Sequence, residues 1–282
     1  MDSNVYLIIL LGALLHAGWN SILKLGLDRF STVILLAIVQ ATIAIPLLFF
    51  ATPPKLESWH LIIFAALLHT GYKIFLIRAY QVADLSQVYP VARGTAPLLL
   101  VFISIFFLGE SFSNEQLLAI VAISFGIVLL TFKGNNLEVF NLKGIFFAII
   151  TACFTASYSL VDGYGAKLAE SVSGFILWMV VFDAIGMIIF GIWFNGTKWF
   201  TTLYSSWKPG LLAGIMSLGA YWLTVWAFTI APIPLVASLR ESSILFASFI
   251  AVFFLKEKVN VWRWVASIFI VFGIIAMKTV VV

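Results

Sequence analysis

Charge is the scarcest resource in this chain: of 282 residues only 10% are Asp, Glu, Lys or Arg, against 63% hydrophobic. An ordinary soluble domain carries about a quarter charged residues, so a water-soluble fold is excluded. Cysteine is nearly absent. The single Cys153 rules out an internal disulfide and any cysteine metal cluster, and within an apolar run it reads as a small buried hydrophobe. The three histidines, His16, His60 and His69, lack the spacing of a zinc motif, so no metal is expected. Gly163-Tyr164-Gly165 has no third glycine at the dinucleotide spacing, and no phosphate-loop pattern occurs, so no cofactor is expected either. A nucleophile with a base near an interface is also missing, which argues against an enzyme.

What is abundant is long apolar runs, each about the length a helix needs to cross a bilayer. Ten are expected, over 5–23, 32–51, 59–80, 87–108 and 116–132, then 144–161, 174–194, 210–230, 234–255 and 261–281. The polar breaks between them carry Pro, Gly and Asn, as in Thr52-Pro53-Pro54, Lys133-Gly134-Asn135-Asn136 and Trp207-Lys208-Pro209-Gly210. No connector is long enough for a soluble domain. The first run is too long for a signal-peptide core and is read as the first membrane helix. Ten Trp and 27 Phe suit lipid-facing helices anchored at interfaces. The net charge of +4 comes from residues in short connectors and signals no nucleic-acid partner.

The chain repeats itself. A shift of 147 places Arg93 on Arg240 (240 minus 93), Phe106-Phe107-Leu108 on Phe253-Phe254-Leu255, Glu110 on Glu257, and Phe125-Gly126-Ile127 on Phe272-Gly273-Ile274. Five helices per half, residues 1–133 and 134–282, is an odd number, so the second half would enter the membrane from the opposite side. That inverted-topology, all-α integral membrane architecture is widespread among secondary transporters.

Arg78-Ala79-Tyr80, the segment from Tyr89-Pro90-Val91-Ala92-Arg93-Gly94 to Pro97, and Leu108-Gly109-Glu110 with its copy Leu255-Lys256-Glu257 carry a family resemblance. Over nearly its whole length the chain resembles the drug/metabolite transporter superfamily, in particular its EamA-type ten-helix members. The resemblance implies a transporter without fixing its substrate. The second half departs from the pattern, having Ser238-Leu239-Arg240-Glu241-Ser242 where the first has the proline-flanked segment.

Charges inside a bilayer cost at least about 2.5–3.5 kcal/mol each at a helix centre, so they face a bundle interior or a wet cavity. Lys73, Arg78, Arg93 and Arg240 are the intrahelical cations, with Arg78 close enough to a helix end to snorkel, and Asp183 and Glu241 are read as the deepest acids. Arg93 and Arg240 are each placed about six residues into their helices, about 9 Å from opposite surfaces. Following Pro90 and Pro234, they fall in the first helical turns, where the dipole favours an anion. Together they would seat an anionic group of a small-molecule substrate, or else pair with acids to hold the bundle. Glu241 should not pair with Arg240, since adjacent helical residues point about 100° apart. Asp183, whose counterpart is roughly Gln40, and Glu241 are the candidate proton carriers, the alternative being static ion pairs with Lys73 or an arginine.

Polar stripes run along three helices: His16, Trp19, Asn20 and Lys24; His69, Tyr72, Lys73 and Tyr80; Thr151, Thr155, Tyr158 and Asp162. From these His16, Trp19, Asn20, Tyr72, Lys73 and Tyr158, with Tyr89, are expected to line a substrate cavity. Tyr221, Trp222 and Trp226 could supply aromatic walls. The function expected is alternating-access transport of a small anionic or zwitterionic metabolite, coupled to protons or to exchange. Export of amino acids or amphipathic cations, or flipping of lipid head groups, is the alternative. For orientation, Lys24, Arg29, Lys133, Lys143, Lys198, Lys208, Lys256, Lys258 and Arg263 fall on one face and only Lys55, Lys167 and Lys278 on the other. The positive-inside rule then puts both termini outside, whereas the resemblance implies termini inside. The membrane expected is the bacterial inner membrane, lipid being a partner throughout, with a monomer allowed.

Overall fold

The computed structural model of the chain describes residues 3–23, 29–130, 141–196, 207–253 and 261–280. Lys24, Lys133, Lys198, Lys256, Glu257 and Lys258 lie outside the described residues. Within them every regular element is helical. In order these are α1 (Ser3–Leu23), α2 (Arg29–Leu48), a 3₁₀ turn (Leu56–Ser58), α3 (Trp59–Val82), α4 (Leu85–Leu108), α5 (Asn114–Leu129) and α6 (Leu142–Leu168). They continue with α7 (Val172–Asn195), α8 (Trp207–Ile230), α9 (Ile233–Arg240), α10 (Ser243–Phe253) and α11 (Val261–Val280). Among the described residues eight stretches are long and apolar enough to cross a membrane, and α5 and α11 contribute two shorter apolar helices. α9 and α10 together make one crossing, which gives the ten-span, two-repeat layout.

Local chemistry sets several boundaries. Gly109 ends α4 in the left-handed region at φ 69°, open to glycine without a steric penalty. Ser113 and Gln116 close a reciprocal capping box at the start of α5. Asn141 caps α6 by accepting from the amides of Lys143 and Gly144, and Ser171 caps α7. Connectors on one face are tied together: the Lys55 amide donates to the Ala169 carbonyl at 3.1 Å, and the Ser171 hydroxyl donates to the Thr52 carbonyl at 2.6 Å.

The packing is reciprocal between halves. α3 lies along α6 as α8 lies along α1, α3 crosses α7 as α8 crosses α2, and α4 meets α6 as α9 and α10 meet α1. α5 and α11 pack on each other through two glycines. A Cβ on Gly126 would come within 2.8 Å of the Ala266 carbonyl oxygen, and one on Gly273 within 2.7 Å of the Ala119 carbonyl oxygen. The same offset of 147 separates Gly126 from Gly273 and Ala119 from Ala266. Small residues here let backbones touch, which is how helices associate where no hydrophobic drive exists between them.

Three expectations need correction. The ninth span is not continuous: it breaks at Glu241 and Ser242, where amides bond three residues back, Glu241 to Ser238 and Ser242 to Leu239. Such a tight 3₁₀ turn inside a span is a common mark of a hinge. α6 runs to Leu168 rather than ending at 161, so Asp162 is well inside it. Cys153 is exposed on α6, although Ala152 and Ala156 beside it are buried.

Candidate functional site

The break in the ninth span creates the centre of the molecule. All eight residues of α9 are buried, as are Glu241, Ser242 and Ser243. α9 meets α1, α4, α5, α6 and α8, whereas α10 runs out beside α1. Arg240 is therefore the last residue of a short helix, where the dipole's negative end favours the cation itself, and not a residue of the first turns. Glu241 follows in the turn just ahead of α10. Arg93 sits eight residues into α4, which starts at Leu85 and continues through Pro90 and Pro97.

The two arginines converge on one carboxylate. Arg93 Nη1 donates to Glu241 Oε1 at 3.2 Å, and Arg240 Nη2 donates to the same oxygen at 3.4 Å. Neighbouring residues pair here, against the helical expectation, because the chain leaves α-geometry at this point. Side-chain exposure is 9% for each arginine and zero for Glu241, so this is a desolvated triad of two cations and one anion. Arg93 Nη2 also meets His16 Nε2, which must act as acceptor towards a guanidinium. His16 packs edge-on to Trp19 with ring centroids 5.0 Å apart, and Arg93 lies over the Tyr89 ring at 5.5 Å. Tyr72 and Tyr158 form a T-shaped pair at 5.6 Å, and both stand in the electrostatic field of Arg93 and Arg240.

Buried polar atoms are nearly always hydrogen-bonded, so the exceptions are informative. Here Trp19 Nε1, Arg240 Nε, Glu241 Oε2, Ser242 Oγ and Ser243 Oγ are buried without a protein partner. They supply spare donors, and spare acceptors at Glu241 Oε2 and the two serine hydroxyls, around the guanidinium groups.

Of the expected site residues, His16, Trp19, Tyr72, Tyr89, Arg93, Tyr158 and Arg240 come together with Glu241. Asn20 instead turns its amide back to the His16 carbonyl at 2.8 Å. Lys73 belongs to a separate pair on α3 and α7: its Nζ contacts Asp183 Oδ2, while the Thr70 hydroxyl donates to Asp183 Oδ1 at 3.1 Å. Asp183 and Glu241 are thus both found in ion pairs, the alternative weighed for them. Arg78, a turn from the end of α3, stacks over the Phe194 ring at 4.8 Å.

The apolar runs point to Asp183 and Glu241 as the deepest acids, yet Asp162 is fully buried too. His69 Nε2 and Asp162 Oδ2 lie 2.9 Å apart, the imidazole stacks on Tyr158 with centroids 4.0 Å apart, and Tyr221 meets it edge-on at 5.3 Å. Both residues stand in the sequence stripes. Ending the sixth span at residue 161 placed the acid at a membrane edge and hid it.

At the edge of the face that holds connector 109–113, a cavity of about 580 Å³ is lined by Glu110, Gln116, Tyr164, Lys167, Thr229 and Ile233, among others. Tyr164 donates to Glu110 across it at 3.2 Å. The arginine triad is not part of its wall. Among the described residues no group of three His, Cys, Asp or Glu could hold a metal ion.

Comparison with known proteins adds three findings. A family model described as "EamA-like transporter family" matches residues 3–132 and again residues 142–279. A solved crystal structure is similar over 99% of this chain and 98% of its own length, with a TM-score of 0.80 and 18% identity, a likeness of fold. No curated protein sequence matches.

Proposed function

Because the chain belongs to the EamA-like transporter family, a family of multi-pass membrane transporters of small molecules, we propose that it moves a small anionic or zwitterionic metabolite by alternating access, with Arg93 and Arg240 seating the negative group. The observation that carries this reading is the convergence of two buried guanidinium groups on a single carboxylate, with Arg240 Nε and neighbouring donors left over. Two cations on one anion leave the cluster positive by one charge, and a buried positive site lacking a full set of partners attracts an anion. Glu241 occupies the place a substrate carboxylate or phosphonate would take, so an incoming anion competes with it for Arg93. A zwitterion would offer its ammonium to Glu241 Oε2, a free acceptor.

The broken span gives the site a moving part. Arg93 stands on the continuous α4, whereas Arg240 and Glu241 flank the hinge between α9 and α10, so capturing an anion between the arginines changes what holds the hinge. The inverted insertion of the two halves, a gradient or exchanged solute as energy source, and residence in a bacterial inner membrane belong to the same reading. Uptake of radiolabelled small organic anions into proteoliposomes tests it. Arg93→Ala should reduce uptake at least about a hundredfold, the loss of roughly 3 kcal/mol expected for a buried charge-assisted contact, while the protein remains monodisperse. Unchanged uptake by that variant would remove Arg93 from the site.

A further inference from the structure

We propose that His69 and Asp162 form a proton-binding dyad that takes up one proton for each negative charge entering the arginine site, making the transport cycle an anion–proton symport. This rests on reading Arg93 and Arg240 as the anion seat, and it names the coupling site that reading leaves open.

The paired charges of the core balance once Lys73, 15% exposed but bonded to the buried Asp183, is counted with the buried arginines and carboxylates. Lys73, Arg93 and Arg240 face Asp162, Asp183 and Glu241, three cations against three carboxylates when His16 and His69 are uncharged. They are distributed unevenly. Lys73 with Asp183 is neutral, the two arginines with Glu241 are positive by one, and Asp162 beside a neutral His69 is negative by one. An arriving anion cancels the positive cluster. The dyad then remains as an uncompensated buried negative charge, the costliest state for a carboxylate in a membrane interior. A single proton restores neutrality.

The other groups are poorly placed to receive it. Glu241 Oε1 already accepts from two guanidinium groups, and His16 presents Nε2 to Arg93. Asp183 is held by Lys73 and Thr70. Asp162, by contrast, faces neutral partners: its Oδ2 lies 2.9 Å from His69 Nε2, and the buried Tyr221 hydroxyl stands beside the same carboxylate. The proton leaves a water-borne donor and forms an O–H bond on Asp162 or an N–H bond on His69, 2.9 Å away. No other covalent bond changes.

The dyad also touches the anion site. Tyr158 stacks on His69 and stands in the field of Arg240, so the two charged centres share one aromatic wall. The titratable and charged groups around the dyad are Tyr72 and Lys73 on α3, Tyr158 on α6, Asp183 on α7, Tyr221 on α8, Arg93 on α4, and Arg240 with Glu241 at the break. Glu57 on the packed 3₁₀ turn is exposed at the membrane edge.

The test uses purified full-length protein and four probes of constant charge between about pH 6 and about pH 8: acetate, lactate, methanesulfonate and glutamate. Binding is titrated calorimetrically in buffers of differing ionisation enthalpy, which counts protons taken up. In the wild-type protein the affinity of a bound probe should fall about tenfold per pH unit, with about one proton taken up per negative charge. In His69→Gln and in Asp162→Asn the affinity should lose its pH dependence and the uptake should vanish. Two variants are used so that misfolding of one leaves the other decisive. Binding to wild type with no proton uptake, or uptake that persists in a folded dyad variant, overturns the dyad and leaves the anion seat standing. Failure of all four probes to bind the wild type overturns the anion seat, and the dyad's role with it.

Discussion

α3 and α8 occupy equivalent places, yet only one of them is chemically armed. Each lies along the first helix of the opposite half and crosses its second. At matching register, Thr70 donates to Asp183 at 3.1 Å on one side, and Ser217 accepts from Gln40 Nε2 at 3.0 Å on the other. Thr70 and Ser217 are separated by the same 147 residues as the two arginines. Around this shared contact the residues diverge: His69 corresponds to Met216 and Lys73 to Ala220. Met216 packs against Gly18 of α1, whereas His69 meets Asp162 and Tyr158 of α6. Duplication kept the packing and one polar contact, and divergence concentrated the ionisable groups in one of the two layers.

The largest effect that could break this comparison is at the charged pair. Asp183→Asn leaves the largely shielded Lys73 without its partner and should cost about 3 kcal/mol in denaturant unfolding. Adding Lys73→Met, which makes the α3 layer resemble the α8 layer, should recover most of that loss; a double variant no more stable than the single one would show that the layers differ in more than charge. A smaller contrast sharpens the point. Thr70→Val removes a bond to a carboxylate and should cost about 1.5–3 kcal/mol, against about 0.5–1.5 kcal/mol for Ser217→Ala at the neutral contact. The reverse order in melting experiments would refute the equivalence.

The smallest effect is at the membrane edge, where Lys55 pairs with Glu170 in the open. The hydrogen bond to Glu170 lifts the Lys55 ammonium above its ordinary pKa, so its contribution is present below lysine's ordinary pKa and fades as pH rises through the higher folded value. Exposure and salt screening keep it slight. Glu170→Gln should leave the melting temperature unchanged at neutral pH, and a clear drop would mean this connector contact is more than a surface pair.

Much of this architecture was legible in the residues. Long apolar runs separated by proline- and glycine-bearing breaks fixed the crossings, and the matched Arg93 and Arg240 pointed to the centre where they meet. The break at Glu241 was not legible, because Leu239 to Ile244 contains no glycine or proline; it is the two guanidinium groups and tight turn bonds that accompany it, and these exist only once α4 and α9 are packed. Asp162 was hidden for a different reason. Gly163 and Gly165 look like the end of a helix, but in α6 they are contact points, where a Cβ would strike Ile233 and Phe175.

If the His69–Asp162 dyad takes up the proton as proposed, the matching of Lys73, Arg93 and Arg240 to Asp162, Asp183 and Glu241 has an electrical corollary. A core that is neutral when empty, and neutral again when it holds an anion with its proton, transfers no net charge as it swings through the membrane field. A potential of 100 mV, worth about 2.3 kcal/mol for each elementary charge moved, then has nothing to act on. Such a carrier would be driven by the concentration and acidity differences across its membrane and be indifferent to voltage.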